Sequence, residues 1–133
     1  MSGPRHLLDT NAVIALLRGH AGLLQELRGA DWIGVSVITR LELLSFSQLG
    51  PRDGETILVF LHRVAVIGLD PKAERYLDRI TAIRAATGIK LPDAIIAATV
   101  VEHDASLVTA DRQLLDLAQQ VAELRVFAVP PSG

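Results

Sequence analysis

LPDAIIAATVV, residues 91–101, is the stretch of sequence that decides the fold. Pro92 and Asp93 are typical of the first turn of a helix, where proline needs no hydrogen-bond partner and negative charge favours the helix dipole. The body that follows, 94–101, is apolar or small on every side of a helix. Such a helix can only be stable in the interior. The stretch therefore predicts a central helix buried on all sides, with an acid at its start.

Strand and helix patterns alternate on both sides of this helix. Strands are predicted at 5–8, 32–36, 65–69, 105–109 and 124–129. Helices are predicted at 12–17, around 23–27, at 37–49, at 53–63, from Asp70-Pro71 to Thr87, and at 111–120. Gly50-Pro51 is expected to end one helix and Gly88 another. The alternation predicts an α/β fold, with helices on both faces of a central, mainly parallel sheet in three layers.

Length and composition limit the class of protein. The 133 residues suit a single domain, 1–133, with a frayed tail at 130–133. Hydrophobic residues make up 50% of the chain but aromatic residues only 4%, so the core must be aliphatic. The absence of cysteine excludes disulfides, thiol nucleophiles and thiolate metal sites. Any metal must be bound by oxygen or imidazole.

Charge and hydropathy limit the location and the binding partners of the protein. The early apolar run 12–17 is too short to span a membrane, and a soluble, cytoplasmic protein is expected. The net charge of −2 requires any binding of nucleic acid to be local. A mean hydropathy of +0.35 exceeds what a small monomer easily buries, which favours an oligomer or a bound partner.

Four separate segments are predicted to bring an acid to one edge of the sheet. Asp9 ends the first strand, Glu42 lies in the helix after the second strand, Asp93 opens the buried helix, and Asp111 follows the strand that ends at Thr109. In an open parallel sheet, ligands bind beyond the carboxyl ends of the strands. Each acid also has a structural explanation, because Asp9 and Asp111 can cap helices and Asp93 can complement a helix dipole. Thr39-x-x-Glu42 has the spacing of a capping box, although the helix should begin near Ser36. Taken singly, each acid is as well explained by structure as by catalysis.

Together the four acids indicate a cation site. Asp93 heads a stripe that must face the core, and Glu42 interrupts an apolar stretch, so both are expected to be partly desolvated. Converging carboxylates about 4 Å apart would repel by several kcal/mol. An all-oxygen cluster of this kind suits a hard cation, Mg²⁺ or Mn²⁺, which keeps several waters and meets a phosphate.

The motifs also resemble those of a known family. They are Leu8-Asp9-Thr10-Asn11, Thr39-x-x-Glu42-Leu43, the Pro92-Asp93 block, and Leu107-Val108-Thr109-Ala110-Asp111. In this order, and over nearly the whole chain, they resemble the PIN-domain family and most closely the VapC toxins of type II toxin–antitoxin pairs. The proline–aspartate block followed by Thr-x-Asp is the most specific part of the likeness.

The resemblance implies a metal-dependent endoribonuclease that leaves a 5′-phosphate. Asp9, Glu42, Asp93 and Asp111 would be its acids, with Asp9, Asp93 and Asp111 as the metal ligands. Thr10, Asn11 and Thr109 stand where the family has supporting polar groups. Basic side chains near these acids would contact RNA phosphates or remain solvated charges at helix ends: Arg18, Arg40, Lys90 and Arg112.

One position departs from the family pattern. The family often has an aromatic residue shortly after its last acid, whereas Leu114 stands here and Asp116 offers a second carboxylate. Either Asp111 or Asp116 could therefore complete the site.

The resemblance also implies a cognate antitoxin and a homodimer. The apolar helices at 37–49 and 53–63 are the candidates for the antitoxin groove or the dimer interface. Two alternatives remain: a PIN fold kept as a binding scaffold without turnover, and a phosphoacceptor receiver module. A receiver needs an acidic pair after its first strand, and only Asp9 is present there. The histidines are scattered without metal-like spacing: His6, His20, His62 and His103.

Overall fold

The computed structural model describes residues 3–46 and 50–131. Its strands are β1 (Arg5–Leu8), β2 (Trp32–Ser36), β3 (Ala65–Ile67), β4 (Ser106–Thr109) and β5 (Arg125–Ala128). Its helices are α1 (Thr10–Leu17), α2 (Ala21–Arg28), α3 (Val37–Leu44), α4 (Pro51–Arg63), α5 (Glu74–Thr87), α6 (Leu91–Glu102) and α7 (Arg112–Leu117). None of the described helices is long and apolar enough to cross a membrane.

The sheet confirms the predicted α/β architecture. All strand pairs are parallel, in the order β3-β2-β1-β4-β5. Helices α5, α6 and α7 pack on the face that carries Leu7 and Leu107, while α1, α2 and α4 cover the face that carries Leu8 and Val108. Helix α3 contributes to both clusters. From β1 the chain continues to β2 and β3 on one side of the sheet, whereas from β4 it continues to β5 on the other side. The direction of winding therefore reverses between β1 and β4.

Helix α6 is the centre of one layer, as its sequence predicts. Every side chain from Ala94 to Val100 is buried, and α5 lies against it. Burying an apolar side chain stabilises the fold by about 1.5–3 kcal/mol for a residue the size of valine or leucine. The small residues Ala94, Ala97 and Ala98 let neighbouring elements approach closely. This packing holds the start of α6, and with it Asp93, at the carboxyl edge of the sheet.

Several predicted boundaries are wrong. The helix predicted at 37–49 ends at Leu44, where the hydroxyl of Ser45 donates to the carbonyl of Leu41, and residues 47–49 lie outside the described part. Pro51 is the first residue of α4. The first residue of a helix has no hydrogen-bond partner for its backbone N–H within the helix, so proline loses no hydrogen bond there.

Asp70-Pro71 does not begin α5. The carboxylate of Asp70 instead accepts a hydrogen bond from the backbone N–H of Lys72, a local turn that competes with helix formation, and the helix begins at Glu74. Gly88 ends α5 with a φ of 71°, a conformation that glycine adopts without strain. Shorter differences separate prediction and structure at the ends of β3, β4, β5 and α7. Of the predicted frayed tail, residues 132–133 lie outside the described part.

His6 makes the stability of the fold sensitive to pH. This β1 side chain is 4% exposed, and its ring nitrogens have no hydrogen-bond partner among residues 3–46 and 50–131, although Glu26 Oε1 lies 3.5 Å from Nε2. Burial lowers the pKa of His6, and Glu26 opposes this only in part. In the unfolded chain the His6 ring is protonated as the pH falls through about 6.5, whereas in the folded chain it is protonated only at a lower pH.

The free energy of unfolding should thus decrease as the pH falls below about 6.5. Urea unfolding at pH 7.5 and pH 5.5 measures the loss. It should shrink in His6→Leu and persist in His62→Gln, which alters an exposed histidine of α4. The same pH dependence in His6→Leu as in the wild type would contradict a role for His6.

Candidate active site

The direction of winding reverses between β1 and β4, and open α/β sheets bind ligands beyond the carboxyl ends of the strands at such a point. Asp9 directly follows β1, and its backbone N–H bonds to the carbonyl of Val108 in β4. Asp111 comes two residues after β4. The strands therefore deliver both acids to one place although they are far apart along the chain.

Asp9 is the most deeply placed acid, at 5% exposure. Its Oδ1 accepts the N–H of Ala12 at 2.8 Å, and its Oδ2 accepts the hydroxyl of Thr109. Burial raises the pKa of Asp9, and these two hydrogen bonds lower it in part. The charges of Asp111 and Asp93 raise it further. Asp9 thus caps α1, as one interpretation of the sequence held, and also lies within electrostatic range of two other carboxylates.

Thr109 connects two of the acids. Its hydroxyl donates to Asp9 and accepts the backbone N–H of Asp111 at 2.9 Å, while the side chain is fully buried. The carboxylate of Asp111 caps α7 by accepting the N–H of Gln113 at 2.8 Å. The sequence placed Thr109 in a supporting role, but only the structure shows that one hydroxyl serves both acids.

Asp93 lies in the first turn of α6 and is half-buried. Burial raises its pKa, and the charges of Asp111 and Glu42 raise it further, whereas Lys90 partly opposes them. The helix dipole favours a charged Asp93, yet desolvation and like charge outweigh that benefit. Asp93 therefore does more than complement a helix end.

Glu42 lies on α3 and is exposed, so the expectation that it is partly desolvated is wrong. Its Oε1 accepts the hydroxyl of Thr10 at 2.7 Å, which ties α3 to the first turn of α1. Helix α3 begins at Val37 with Ser36 as its cap, so the Thr39-x-x-Glu42 spacing is not a capping box. The charge of Glu42 acts on Asp93, and the four carboxylates of Asp9, Glu42, Asp93 and Asp111 are together called the acid pocket.

The remaining sequence candidates separate into near and distant residues. Asp116 is exposed, and neither Asp9 nor Asp93 senses its charge. Leu114, at the position where the resembling family often has an aromatic, is 2% exposed and belongs to the core. Lys90 and Arg112 adjoin Asp93 and Asp111 closely in sequence. Arg40 and Arg18 are exposed on α3 and at the end of α1.

The acid pocket suits a hydrated cation better than a cage of protein ligands. Among the described residues, no three acidic or histidine side chains already stand close enough to hold an ion. The donors are nonetheless all carboxylates, and Asp9, Asp93 and Asp111 repel one another electrostatically. Mg²⁺ usually keeps several waters and takes one or two carboxylates. The donor set therefore fits such an ion.

Replacing Thr109 tests how much the hydroxyl supports the site. Thr109→Val removes one hydrogen bond to a buried carboxylate and orphans the N–H of Asp111, so we expect a loss of about 1–3 kcal/mol in unfolding free energy. Thr39→Val is the matched control. Thr39 is also fully buried, but its hydroxyl has no partner in the described part of the chain, so its removal should be neutral or stabilising. If urea unfolding shows the same loss of unfolding free energy in Thr109→Val and Thr39→Val, the hydroxyl of Thr109 has no special role.

Comparisons with known proteins agree with this fold. The profile of the family described as PIN domain matches residues 6–120. A toxin–antitoxin complex from Klebsiella pneumoniae is similar in structure, with a TM-score of 0.72 and 25% identity over 92% of this chain and 95% of that one. A comparison with curated proteins found no match.

Two further solved structures show the same fold. VapBC2 from Rickettsia felis, bound to a DNA fragment from its promoter, has a TM-score of 0.72 and 21% identity, and the match covers 94% of this chain and 98% of that one. VapBC-5 from Mycobacterium tuberculosis has a TM-score of 0.64 and 21% identity, covering 95% and 100% of the two chains. At these identities the likeness concerns the fold.

Proposed function

The chain belongs to the PIN-domain family, and from that premise we propose that it is a metal-dependent endoribonuclease, the toxin of a toxin–antitoxin pair. One observation carries the proposal. Asp9, Asp93 and Asp111 come from three separate segments at the carboxyl edge of the sheet, where the hydroxyl of Thr109 bonds to both Asp9 and the backbone of Asp111. Burial, and then the neighbouring carboxylates, raise the pKa values of Asp9 and Asp93.

A bound Mg²⁺ or Mn²⁺ would lower the pKa of a coordinated water and stabilise the charge that develops on an RNA phosphate. The metal ligands in this proposal are Asp9, Asp93 and Asp111. Asp9 is held by hydrogen bonds on both oxygens, so it provides a fixed side of the pocket. Preformed geometry of this kind lowers the cost of arranging ligands when a cation binds.

The other polar residues position this set. Thr109 orients Asp9 and the start of α7, and Thr10 holds Glu42 beside the pocket. Glu42 adds negative charge near Asp93 and is the fourth acid of the proposed site. Asn11 follows Thr10 in the first turn of α1.

The proposed substrate is RNA because basic residues border the acid pocket in spite of the net negative charge of the chain. Lys90 precedes α6 directly, and Arg112 is the first residue of α7. Neither forms an ion pair with any residue in the described ranges. Both can therefore contact phosphates on either side of the acids. Arg18 and Arg40 are the more distant candidates for such contacts.

The toxin role rests on the solved relatives, which include toxin–antitoxin complexes. The proposed partners are a cognate antitoxin and a second copy of the chain. Helices α3 and α4 offer apolar surface for these interactions, since Leu41, Leu58 and Val59 are 53%, 42% and 54% exposed. The inner residues Leu43 and Ile57 pack in the core, so the outer ones remain for a partner. A free chain that stays monomeric at micromolar concentration would count against the dimer.

Metal dependence of RNA cleavage tests the proposed function. The purified chain, freed of any antitoxin, should cut a mixture of structured and single-stranded RNAs with Mg²⁺ or Mn²⁺ and stop with chelator. Metal should also raise its melting temperature, because a cation that binds only the folded state stabilises by RT ln(1 + [L]/Kd), about 2.7 kcal/mol at one hundred times Kd. A chain that binds metal but never cuts RNA would be a binding scaffold. A chain that does neither would overturn the site.

A further inference from the structure

A second concave site lies beside the acid pocket, between α1 and α4. The cleft has a volume of about 540 Å³, within the range of small-ligand sites. Asn11, Ile14 and Arg18 line it from one face of α1, at spacings of three and four residues. Across from them stand Arg52 and Thr56 of α4, four residues apart. Neither Arg52 nor Thr56 was singled out by the sequence.

The positive charges of the two arginines in the cleft favour an anionic ligand. Arg18 and Arg52 are exposed, and neither forms an ion pair with a described residue, even though Asp53 lines the same cleft. Two guanidinium groups without a carboxylate partner suit a phosphate, which an arginine can bind through two parallel N–H donors.

The rest of the cleft suits a nucleobase. Ile14 and Ile57 provide apolar walls, and the ring of Phe46 is 46% exposed at the rim. Unpaired bases of single-stranded RNA stack on aromatic rings and arginine planes. The carboxylate of Asp53 can only accept hydrogen bonds, so it favours a base edge that carries an amino group. Adenine, cytosine and guanine have an exocyclic amino group to donate to Asp53, whereas uracil has only its ring N3–H, flanked by two carbonyl oxygens that a carboxylate repels.

Two residues that line the cleft are close in the chain to residues of the acid pocket. Asn11 lines the cleft and follows Thr10, whose hydroxyl binds Glu42. Phe46 comes four residues after Glu42, just past the end of α3. An RNA strand whose phosphate lies at the acids can therefore place a neighbouring nucleotide between α1 and α4.

We infer that the α1–α4 cleft is a nucleotide subsite for single-stranded RNA. It holds one nucleotide next to the cut phosphodiester, with its phosphate on Arg18 and Arg52 and an amino-bearing base against Asp53. The inference rests on the proposed function and adds to it a preference for a base. A helix of a protein partner is the competing occupant, but an apolar helix would leave both arginines without an anion.

Binding of short RNAs tests the inference without cleavage. Fluorescein-labelled single-stranded hexamers of A, C or U are titrated with the full chain in chelator, and anisotropy gives Kd. Arg52→Gln should weaken binding of every hexamer about tenfold, as expected for loss of a charged hydrogen bond. It should also make the salt dependence shallower by about one released counterion. Asp53→Asn should instead remove the preference for A and C over U.

Arg63→Gln is the matched control, because Arg63 is an exposed arginine of the same helix outside the cleft. Its Kd should stay within about twofold of the wild type, as is usual for an exposed residue away from a site. With Mg²⁺, sequencing of cleaved ends should show the base preference at one flanking position in the wild type and its loss in Asp53→Asn.

The outcomes separate the two proposals. If the wild type cuts RNA but Arg52→Gln and Asp53→Asn bind and cut as it does, the subsite is wrong and the nuclease stands. If hexamers bind as expected but no RNA is ever cut, the nuclease is wrong and the subsite stands. If the variants weaken only the complex with the antitoxin, the cleft is a protein-docking groove and the inference is overturned.

Discussion

Asp93→Asn is expected to reduce metal-dependent RNA cleavage by at least about a thousandfold, since metal stabilisation of the transition state is worth several kcal/mol and each 1.36 kcal/mol is a factor of ten. The amide keeps the size of the side chain but removes the charge that would help to hold the cation. Initial rates of cleavage at saturating Mg²⁺, with wild type and variant purified alike, measure the loss.

The same variant should not be less stable than the wild type in chelator. Desolvation and the charges of Asp111 and Glu42 raise the pKa of Asp93, so a neutral side chain relieves repulsion. Its melting temperature should match or exceed that of the wild type without metal and gain less when metal is added. A variant that melts early in chelator would assign Asp93 a structural role, and one that cuts RNA normally would remove it from the site.

Asp111→Asn should lower cleavage by at least about 10–100-fold, because even the loss of an outer-shell partner of a metal ligand costs that much, whereas Asp116→Asn should leave it nearly unchanged. Asparagine caps helices about as well as aspartate, so α7 should begin normally and the loss should come from charge alone. Asp111 acts electrostatically on Asp9 and Asp93, while Asp116 is exposed and contributes to neither shift.

The pair of variants decides which acid completes the site. Cleavage rates and the metal concentration for half-maximal activity are measured for both, with circular dichroism to confirm the helix content. The reverse order, with Asp116→Asn inactive and Asp111→Asn active, would show that metal binding rearranges α7. Equal activity of both variants would restrict the site to Asp9, Glu42 and Asp93.

Periodicity predicted most of the fold because the signals are local. A helix apolar on all sides can only be buried, so Ala94 to Val100 indicated the central α6 directly. Two of the errors lie where a side chain bonds to the nearby backbone. Asp70 forms such a bond before the start of α5, and Ser45 forms one at the end of α3.

The acids were predicted as candidates because strands and helix starts place them at one edge, and their motifs resemble a family. The sequence left each of Asp9, Asp93 and Asp111 open between helix cap and metal ligand. In the structure Asp9 and Asp111 do cap helices, so one role does not exclude the other. No spacing could reveal that Thr109 bonds to Asp9 across one hundred residues.

The sequence by itself determined the α/β class, the order of its elements and the acids at their ends, because hydrophobic period and turn chemistry act between near neighbours. Only the tertiary structure decided which acids repel one another, that Thr109 joins Asp9 to Asp111, and that Arg18 faces Arg52 across a cleft. Those relations depend on strand order and helix packing. Distant segments become neighbours only when the core is buried, and charges and hydroxyl groups act over the distances set there.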